Sequence, residues 1–433
     1  MGAAPTATQD LHDRVRGASG PLPGGLVALA AALAIGLLIA VPWVDQRFVW
    51  CEWLGVAAAL LMVDRLRGWR GECLTLVAAT TSIAIAFHWT PAVLAYSMNA
   101  DHATGVLMAA PIMLWDAVRL ALPFWLVGRV ERDPVRAWLP AGMMATAIEA
   151  VAPAVFPWKL GYSQIAWPHL IQSVDLFGPE SSTFMLFAHA GVIVWLVRTV
   201  GWIAGRLPSR ERGDVTPLPA GVLVLLVCGL NAVYGALALR HWSREGMSAP
   251  KLAMAIVQAN PEEADGIDSL RMLTAGACSD PARIPDLVCW PECSGGSYDA
   301  GLTSLADASQ VRAASRGPHR GMRPVENPAC PLLFGGKIYT GCPEKPRTLH
   351  QSAILVDTSE TILGCYHKRH LMPFGEYMPG GDLYPEIRSH VPMQDEFTPG
   401  TDARVLTWHH GPRLGVLLCY EDMIPAAARS LVR

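Results

Sequence analysis

The run GGLVALAAALAIGLLIAVPWV, residues 24–44, is apolar from end to end and carries no charged side chain. A membrane-spanning helix needs about 20 such residues, so the run predicts one. No small-residue cleavage site follows it, and we therefore expect a retained helix rather than a removed signal peptide. Six similar segments follow, so that the predicted spans are 24–44, 48–63, 72–98, 105–128, 137–157, 181–205 and 217–239. Together they predict a transmembrane domain of about seven helices at residues 24–240, behind a cytoplasmic tail at residues 1–23.

The composition indicates a second, water-facing part. The 433 residues are 52% apolar and only 16% charged, against about a quarter charged in soluble globular proteins. Residues 1–250 hold 33 of the 71 charged residues, and the shorter remainder holds 38. This distribution excludes a single soluble domain, and the 15 tryptophans exclude a disordered chain. A net charge of −3 lacks the basic excess of a nucleic-acid-binding protein, so no nucleic-acid partner is predicted.

Positive charges in the loops predict the orientation of the spans. The N-terminal tail and every second loop are rich in arginine, and the members of this set are Arg14, Arg16, Arg65, Arg67, Arg70, Arg129, Arg132, Arg136, Arg206, Arg210 and Arg212. The intervening loops hold only Arg47 and Lys159. Loops rich in Lys and Arg face the cytoplasm, so the N-terminus is expected there. With seven spans, the residues after 240 lie on the opposite side of the membrane.

Two predicted spans, 105–128 and 137–157, carry ionisable residues in their interior. Asp116 and Arg119 stand three apart on one helix and can pair, and Glu149 is a single acid. Ionisable groups are costly in hydrocarbon, so a functional role is one interpretation. A structural contact between helices is the alternative, and we favour it.

From about residue 251 the pattern changes to short strands broken by turns. Apolar runs of strand length lie at 252–258, 286–290, 331–339, 352–357 and 414–420, and residues 423–432 begin a helix. Strands that alternate with helices predict an α/β layered domain at residues 249–433.

Two stretches of this domain contain residues suited to acid–base and oxyanion chemistry. Glu292 follows a predicted buried strand and a proline, where a carboxylate can act as a general base; a surface glutamate is the alternative. Lys368 lies in the second stretch, with Glu376 eight residues on. A fixed ammonium can hold a developing oxyanion and lower the pKa of a nearby thiol. The alternative is a basic surface cluster.

A third stretch, residues 414–422, contains the candidate nucleophile. Cys419 ends a predicted strand just before a predicted helix, a turn that presents a side chain at the edge of a sheet. Cysteine is a natural nucleophile, and the backbone N–H of Tyr420 can serve an oxyanion hole. A buried structural cysteine is the alternative.

Neither a metal nor a cofactor is predicted. His367 and His370 lack a third ligand at a useful spacing, and the pair Cys289 and Cys293 lacks a partner pair.

The three stretches occur together in the order Glu, Lys, Cys, and the chain resembles the nitrilase (carbon–nitrogen hydrolase) superfamily, within it the membrane-bound apolipoprotein N-acyltransferases. The matching stretches are 286–292, 335–339, 351–357, 367–379, 397–400 and 419–422. The resemblance implies a multi-span helical membrane domain followed by a nitrilase-like αββα sandwich, in a bacterial inner membrane with the sandwich in the periplasm.

The resemblance also implies the roles of single residues. Glu292 is implied as base, Lys368 as oxyanion stabiliser and Cys419 as nucleophile, with Glu376 and Glu421 in support. By the same resemblance, Cys419 takes an acyl chain from a membrane phospholipid as a thioester. The N-terminal amine of a lipoprotein then accepts the chain.

The sequence departs from the family at its C-terminal end and in its cysteines. Only 14 residues follow Cys419, whereas the family continues with further strands and a last membrane helix, so we expect a domain shortened at its C-terminal end. Shortened relatives include the plasmid conjugal-transfer group called TraB, to which the chain is also similar. A transfer role on another substrate and an inactive membrane scaffold are therefore the alternatives. Cys330 and Cys342 could pair, although spacing does not decide connectivity.

Overall fold

The computed structural model describes residues 24–62, 68–97, 100–204, 218–259, 266–316, 323–341, 348–386, 396–408 and 411–432. The chain divides after Ser248 into two compact units. Several arginines that predict the orientation lie outside the described residues: Arg14, Arg16, Arg65, Arg67, Arg206, Arg210 and Arg212. Cys342 lies outside them as well, so its pairing with Cys330 stays a prediction.

The first unit is helical. Its longer helices are Gly25–Val44, Trp50–Leu61, Gly68–Ala86, Thr90–Ser97, His102–Val130, Pro134–Val151, Glu180–Ile203 and Leu218–Ser248. A connecting segment lies between Pro134–Val151 and Glu180–Ile203. It contains the 3₁₀ helix Leu160–Ala166 and the short helices Pro168–Ile171 and Val174–Phe177. Each of the seven predicted segments therefore contains helix.

Length and composition qualify fewer of these helices as membrane spans. Within the described residues four are long and apolar enough, namely Gly25–Val44, His102–Val130, Glu180–Ile203 and Leu218–Ser248. A fifth span results if Gly68–Ala86 and the helix after it, which are bent by 54°, count as one. The helices Trp50–Leu61 and Pro134–Val151 are not among them. The count of seven spans stays a prediction.

Small residues let the helices of this unit approach one another closely. A Cβ on Gly36 would lie 2.3 Å from the carbonyl oxygen of Ala78, so the backbones of the two helices that carry these residues approach each other closely. Packing between membrane helices relies on such small residues because lipid supplies no hydrophobic driving force.

The ionisable residues inside this unit are held by neighbours. Arg119 donates from Nη1 to Asp116 Oδ1 at 2.6 Å, and both side chains are buried, which confirms the predicted pair. Glu149 accepts from the backbone N–H of Leu160 at 2.8 Å, and Lys159 pairs with Glu180 at 3.0 Å. The contacts of Glu149 and Lys159 join two helices to the connecting segment, whereas the Arg119–Asp116 pair lies within one helix.

The second unit is built on one mixed sheet of seven strands. They are β1 (Met254–Ile256), β2 (Leu287–Cys289), β3 (Ser297–Asp299), β4 (Ser315–Arg316), β5 (Leu332–Thr340), β6 (Thr348–Val356) and β7 (Ile362–His367). β1, β2 and β5 are parallel neighbours, β5 also pairs in parallel with β3, and β4 lies antiparallel to β3. β5, β6 and β7 form an antiparallel meander.

An apolar cluster covers each face of the sheet around β6, as the alternation along this strand shows. Ile354 and Val356 enter one apolar cluster, together with Leu270 of helix Gly266–Ala277. Ala353 and Leu355 enter a second cluster on the opposite face, against which Leu431 of helix Pro425–Leu431 packs. An α/β layered domain is thereby confirmed. The described residues contain one sheet, and the second sheet of an αββα sandwich is not among them.

Four of the five predicted strands are confirmed, and the fifth is wrong. Residues 414–418 form no strand; Leu414 makes an isolated bridge to Leu406, and the 3₁₀ helix Cys419–Met423 follows. The apolar residues there are buried by packing against the sheet rather than by pairing in it: Leu418 lies in the second cluster, and Leu414 and Val416 pack against that cluster. The predicted helix after it is confirmed as Pro425–Leu431.

Candidate functional site

Glu292 lies just beyond the end of β2, where the chain continues alongside β5. The backbone N–H of Trp290 donates to Leu333 O at 2.8 Å, and that of Gly335 donates to Pro291 O at 3.2 Å. A Cβ on Gly335 would stand 2.6 Å from both Glu292 Cα and Cys293 N. A larger residue at this point of β5 would force the backbone of Glu292 and Cys293 to shift, and the absence of a side chain on Gly335 lets Glu292 come close to the sheet.

Lys368 follows the last residue of β7 and is 1% exposed. Its ammonium donates to Glu376 Oε1 at 2.7 Å and to Glu292 Oε1 at 3.2 Å. Burial lowers the pKa of Lys368, but the hydrogen bond to Glu376 and the charges of both glutamates outweigh it, so the net pKa is raised. The amine therefore stays charged at neutral pH.

Glu376 is held on its other side by the turn that contains it. Its Oε2 accepts from the backbone N–H of Met372 at 2.8 Å. One oxygen thus binds the main chain and the other binds Lys368, so the ammonium meets a carboxylate of fixed orientation.

Cys419 begins the 3₁₀ helix Cys419–Met423, with its backbone in the left-handed region at φ 46°. A non-glycine residue there is strained, a state that clusters at functional sites. As a whole the residue is exposed. Burial of part of the residue raises the pKa of this thiol and the charge of Glu292 raises it further, while Lys368 and the backbone N–H of Tyr420 lower it; the net pKa is raised. The net shift is opposite to the one expected from the ammonium alone.

Glu421 connects the Cys419 turn to the chain around Lys368. The side chain is fully buried. Its Oε1 accepts from Tyr366 Oη at 2.8 Å, from Arg369 N at 2.9 Å and from His370 N at 3.2 Å, and its Oε2 accepts from Leu418 N at 3.0 Å. Four donors on both sides of the site therefore converge on one carboxylate.

The structure brings five of the predicted site residues together: Glu292, Lys368, Glu376, Cys419 and Tyr420. Glu292, Lys368 and Glu376 are in direct contact, the charges of all three act on the Cys419 thiol, and Tyr420 directs its backbone N–H to that thiol. Glu421 holds the surrounding backbone through its bonds to Arg369, His370 and Leu418. Groups of three or more potential metal ligands do not occur among the described residues.

Sequence reasoning missed two residues of this site, Gln351 and Tyr366. Gln351 donates from Nε2 to Cys293 Sγ at 3.0 Å, and its backbone oxygen accepts from Lys368 N at 2.8 Å. Tyr366 donates to Glu421. Both side chains are only 1% exposed, but His350 and Ser352 beside Gln351 are polar and buried as well, so no sequence pattern singles these two residues out.

Comparison with known proteins assigns both units. Residues 35–192 match the family model of the apolipoprotein N-acyltransferase N-terminal domain, and residues 253–433 match that of carbon–nitrogen hydrolase. An apolipoprotein N-acyltransferase of Geobacter metallireducens is 25% identical over 415 residues, 93% of this chain and 74% of that protein. One of Caulobacter vibrioides is 27% identical over 437 residues, 96% of this chain and 75% of that protein.

Among solved structures, the NitN amidase of Neterenkonia sp. AN1 is similar at 23% identity, covering 42% of this chain and 62% of that one with a TM-score of 0.26.

The conjugal-transfer alternative is not favoured by these relatives. The matches support an acyltransferase enzyme, and with the apolar helices they support a multi-pass protein of the bacterial inner membrane. Two family models matched in succession, and two relatives matched along more than nine-tenths of the chain, show that this chain combines a domain like the N-terminal domain of apolipoprotein N-acyltransferases with a carbon–nitrogen hydrolase domain, and that it is similar to the apolipoprotein N-acyltransferases along most of its length.

Proposed function

We propose that the chain transfers an acyl chain from a membrane phospholipid, through a thioester on Cys419, to the N-terminal amine of a lipoprotein. One observation carries this proposal: the buried ammonium of Lys368 is held between Glu292 and Glu376 beside the thiol of Cys419 on a strained turn. The names of the two relatives support the substrates, because both are apolipoprotein N-acyltransferases.

In the first step Glu292 takes the proton of the Cys419 thiol, and the thiolate attacks the ester carbonyl of the phospholipid. A general base is required because the pKa of the thiol is raised and the thiolate does not form by itself at neutral pH. The oxyanion that forms is stabilised by Lys368 and by the backbone N–H of Tyr420. The ester bond breaks, Glu292 returns the proton to the leaving alcohol, and the lysophospholipid departs.

In the second step the lipoprotein amine attacks the thioester carbonyl. Glu292 takes a proton from the attacking nitrogen, and the same donors stabilise the second oxyanion. The carbon–sulfur bond breaks as the amide forms, and the sulfur recovers its proton from Glu292. The amide product and a free Cys419 thiol close the cycle, so no cofactor is consumed.

Glu376 and Glu421 support this chemistry without touching the thiol. Glu376 keeps Lys368 charged and oriented, since its hydrogen bond raises the pKa of that amine. Glu421 holds Leu418 and Arg369 on one carboxylate, and these residues adjoin Cys419 and Lys368 in the chain.

For the orientation, we propose a cytoplasmic N-terminus and a periplasmic second unit. The arginine-rich loops support the first part of this proposal. The second part requires an odd number of spans. Five spans result among the described residues when the bent pair counts as one, and the sequence predicts seven, so both counts are odd.

The proposed function is tested by trapping the thioester. The full chain in detergent micelles is incubated with phospholipid labelled in its acyl chain, and its intact mass is measured. We expect an adduct of one acyl chain that hydroxylamine removes, and no adduct on Cys419→Ala or Glu292→Gln. Cys278→Ala is the matched control, because it removes a thiol of the same unit outside the site. Folded wild-type protein without an adduct would contradict the acyltransferase proposal and favour the inactive scaffold.

A further inference from the structure

We propose that Gln351 and Cys293 form a positioning pair that keeps Glu292 next to Lys368. The inference rests on the proposed function, in which Glu292 is the base. The pair acts through the backbone of Glu292 and not on the reacting atoms.

The side chain of Gln351 is buried in the middle of β6 and is only 1% exposed. Its Nε2 donates to Cys293 Sγ at 3.0 Å, while its Oε1 is buried without a hydrogen-bond partner among the described residues. A buried amide with an unmade hydrogen bond costs free energy. An apolar side chain of similar size would fill the same space without this cost. A glutamine at this position therefore indicates a role for its amide group.

Cys293 is the residue directly after Glu292, and its backbone is in the left-handed region at φ 59°. Such a conformation persists in a non-glycine residue only where the surroundings hold it. One restraint is the close contact of its backbone nitrogen with Gly335, and the other is the hydrogen bond from Gln351 to its sulfur. Since the two residues are adjacent, any shift of Cys293 displaces the carboxylate of Glu292.

Gln351 also binds the opposite side of the site through its main chain. Its backbone oxygen accepts from the backbone N–H of Lys368 at 2.8 Å. One residue of a central strand therefore holds Lys368 by its backbone and the residue after Glu292 by its side chain. Through these two contacts, Gln351 connects the backbone of Lys368 to the chain at Glu292, whose Oε1 lies 3.2 Å from Lys368 Nζ.

The test measures how fast Cys419 is acylated in a single turnover, together with the KM for the phospholipid, in the full chain. Gln351→Met and Cys293→Ala remove the hydrogen bond from either side, and each is expected to slow acylation about tenfold, the effect of one hydrogen bond. The KM for the phospholipid is expected to change less than about twofold, because a pair that only positions Glu292 adds nothing to substrate binding. Cys293→Ser keeps an acceptor for Gln351 and is expected to retain the wild-type rate.

The double variant separates this positioning role from two unrelated structural defects. If the pair acts as one link, the double variant is no slower than either single variant; two independent defects would multiply to about a hundredfold. Should Gln351→Met fail to fold, the comparison of Cys293→Ala with Cys293→Ser decides the matter, because Cys293 is exposed.

Two negative results have different meanings. Wild-type protein that forms no adduct contradicts the proposed function and this role with it. Wild-type protein that forms the adduct, with unchanged rates in Gln351→Met and Cys293→Ala, overturns the role of the pair and leaves the proposed function standing.

Discussion

Replacement of Glu421 by glutamine tests how the Cys419 turn is held to the rest of the site. The carboxylate accepts three hydrogen bonds at Oε1 and one, from Leu418 N, at Oε2. A glutamine keeps at most the three hydrogen bonds at Oε1. Its NH₂ group then takes the place of Oε2 and faces the backbone N–H of Leu418. One hydrogen bond to a charged group is lost and a buried donor is left unsatisfied, which costs about 2 kcal/mol.

The measurement is a thermal scan of the full chain in detergent, followed by tryptophan fluorescence. For a unit of this size about 2 kcal/mol corresponds to a fall in Tm of about 4–8 °C. We also expect slower acylation of Cys419, since Leu418 precedes it. Asp422→Asn is the matched control, because this exposed neighbour should change the free energy of unfolding by less than about 0.5 kcal/mol. A Glu421→Gln variant with an unchanged Tm would refute the role of this carboxylate as the connection between the two backbone segments.

Three further predictions concern the base, the ammonium and the pH dependence. Gly335→Ala should fold but acylate Cys419 more than about tenfold more slowly, because the added Cβ pushes against Glu292 Cα; normal single-turnover kinetics would contradict this. Lys368→Met should lower the acylation rate by about 10²–10³, the loss typical of an oxyanion donor, while Lys337→Met, in the same sheet, should not. Burial lowers the pKa of His367 to about 4, with smaller contributions from the charges of His350 and Arg404. The unfolded chain then binds this proton more readily than the folded one, so the stability contributed by neutral His367 is present above about pH 6.5 and is lost as the pH falls towards about 4. A His367→Gln variant should lose less Tm over this interval than the wild type does, and equal losses would contradict the assignment.

Much of the architecture could be predicted because it depends on local patterns. Apolar runs predict helices wherever they are long enough, and each predicted segment of the first unit contains one. The alternation of Ala353 and Leu355 with Ile354 and Val356 predicts a strand buried on both faces, and β6 confirms it.

The run before Cys419 shows where such reasoning ends. Leu414, Val416 and Leu418 alternate as in a strand, yet residues 414–418 pack on the sheet without joining it. Burial explains the apolar residues in either case, and only the position of neighbouring strands decides whether backbone pairing occurs. The same limit applies to the net pKa of Cys419, since it depends on distances to Glu292 and Lys368 that no spacing along the chain defines.

The sequence by itself determined the two-part organisation and the α/β class of the second part. It also identified Glu292, Lys368 and Cys419 as candidate catalytic residues. This was possible because hydropathy, periodicity and reactive residue types are properties of short segments. Only the tertiary structure decided that Glu376 shares the Lys368 ammonium with Glu292, that Glu421 gathers four donors, and that Gln351 links Cys293 to the backbone of Lys368. These contacts join residues up to 76 positions apart. Their partners are selected by the register of the sheet and the packing of its turns, which are long-range properties of the folded chain.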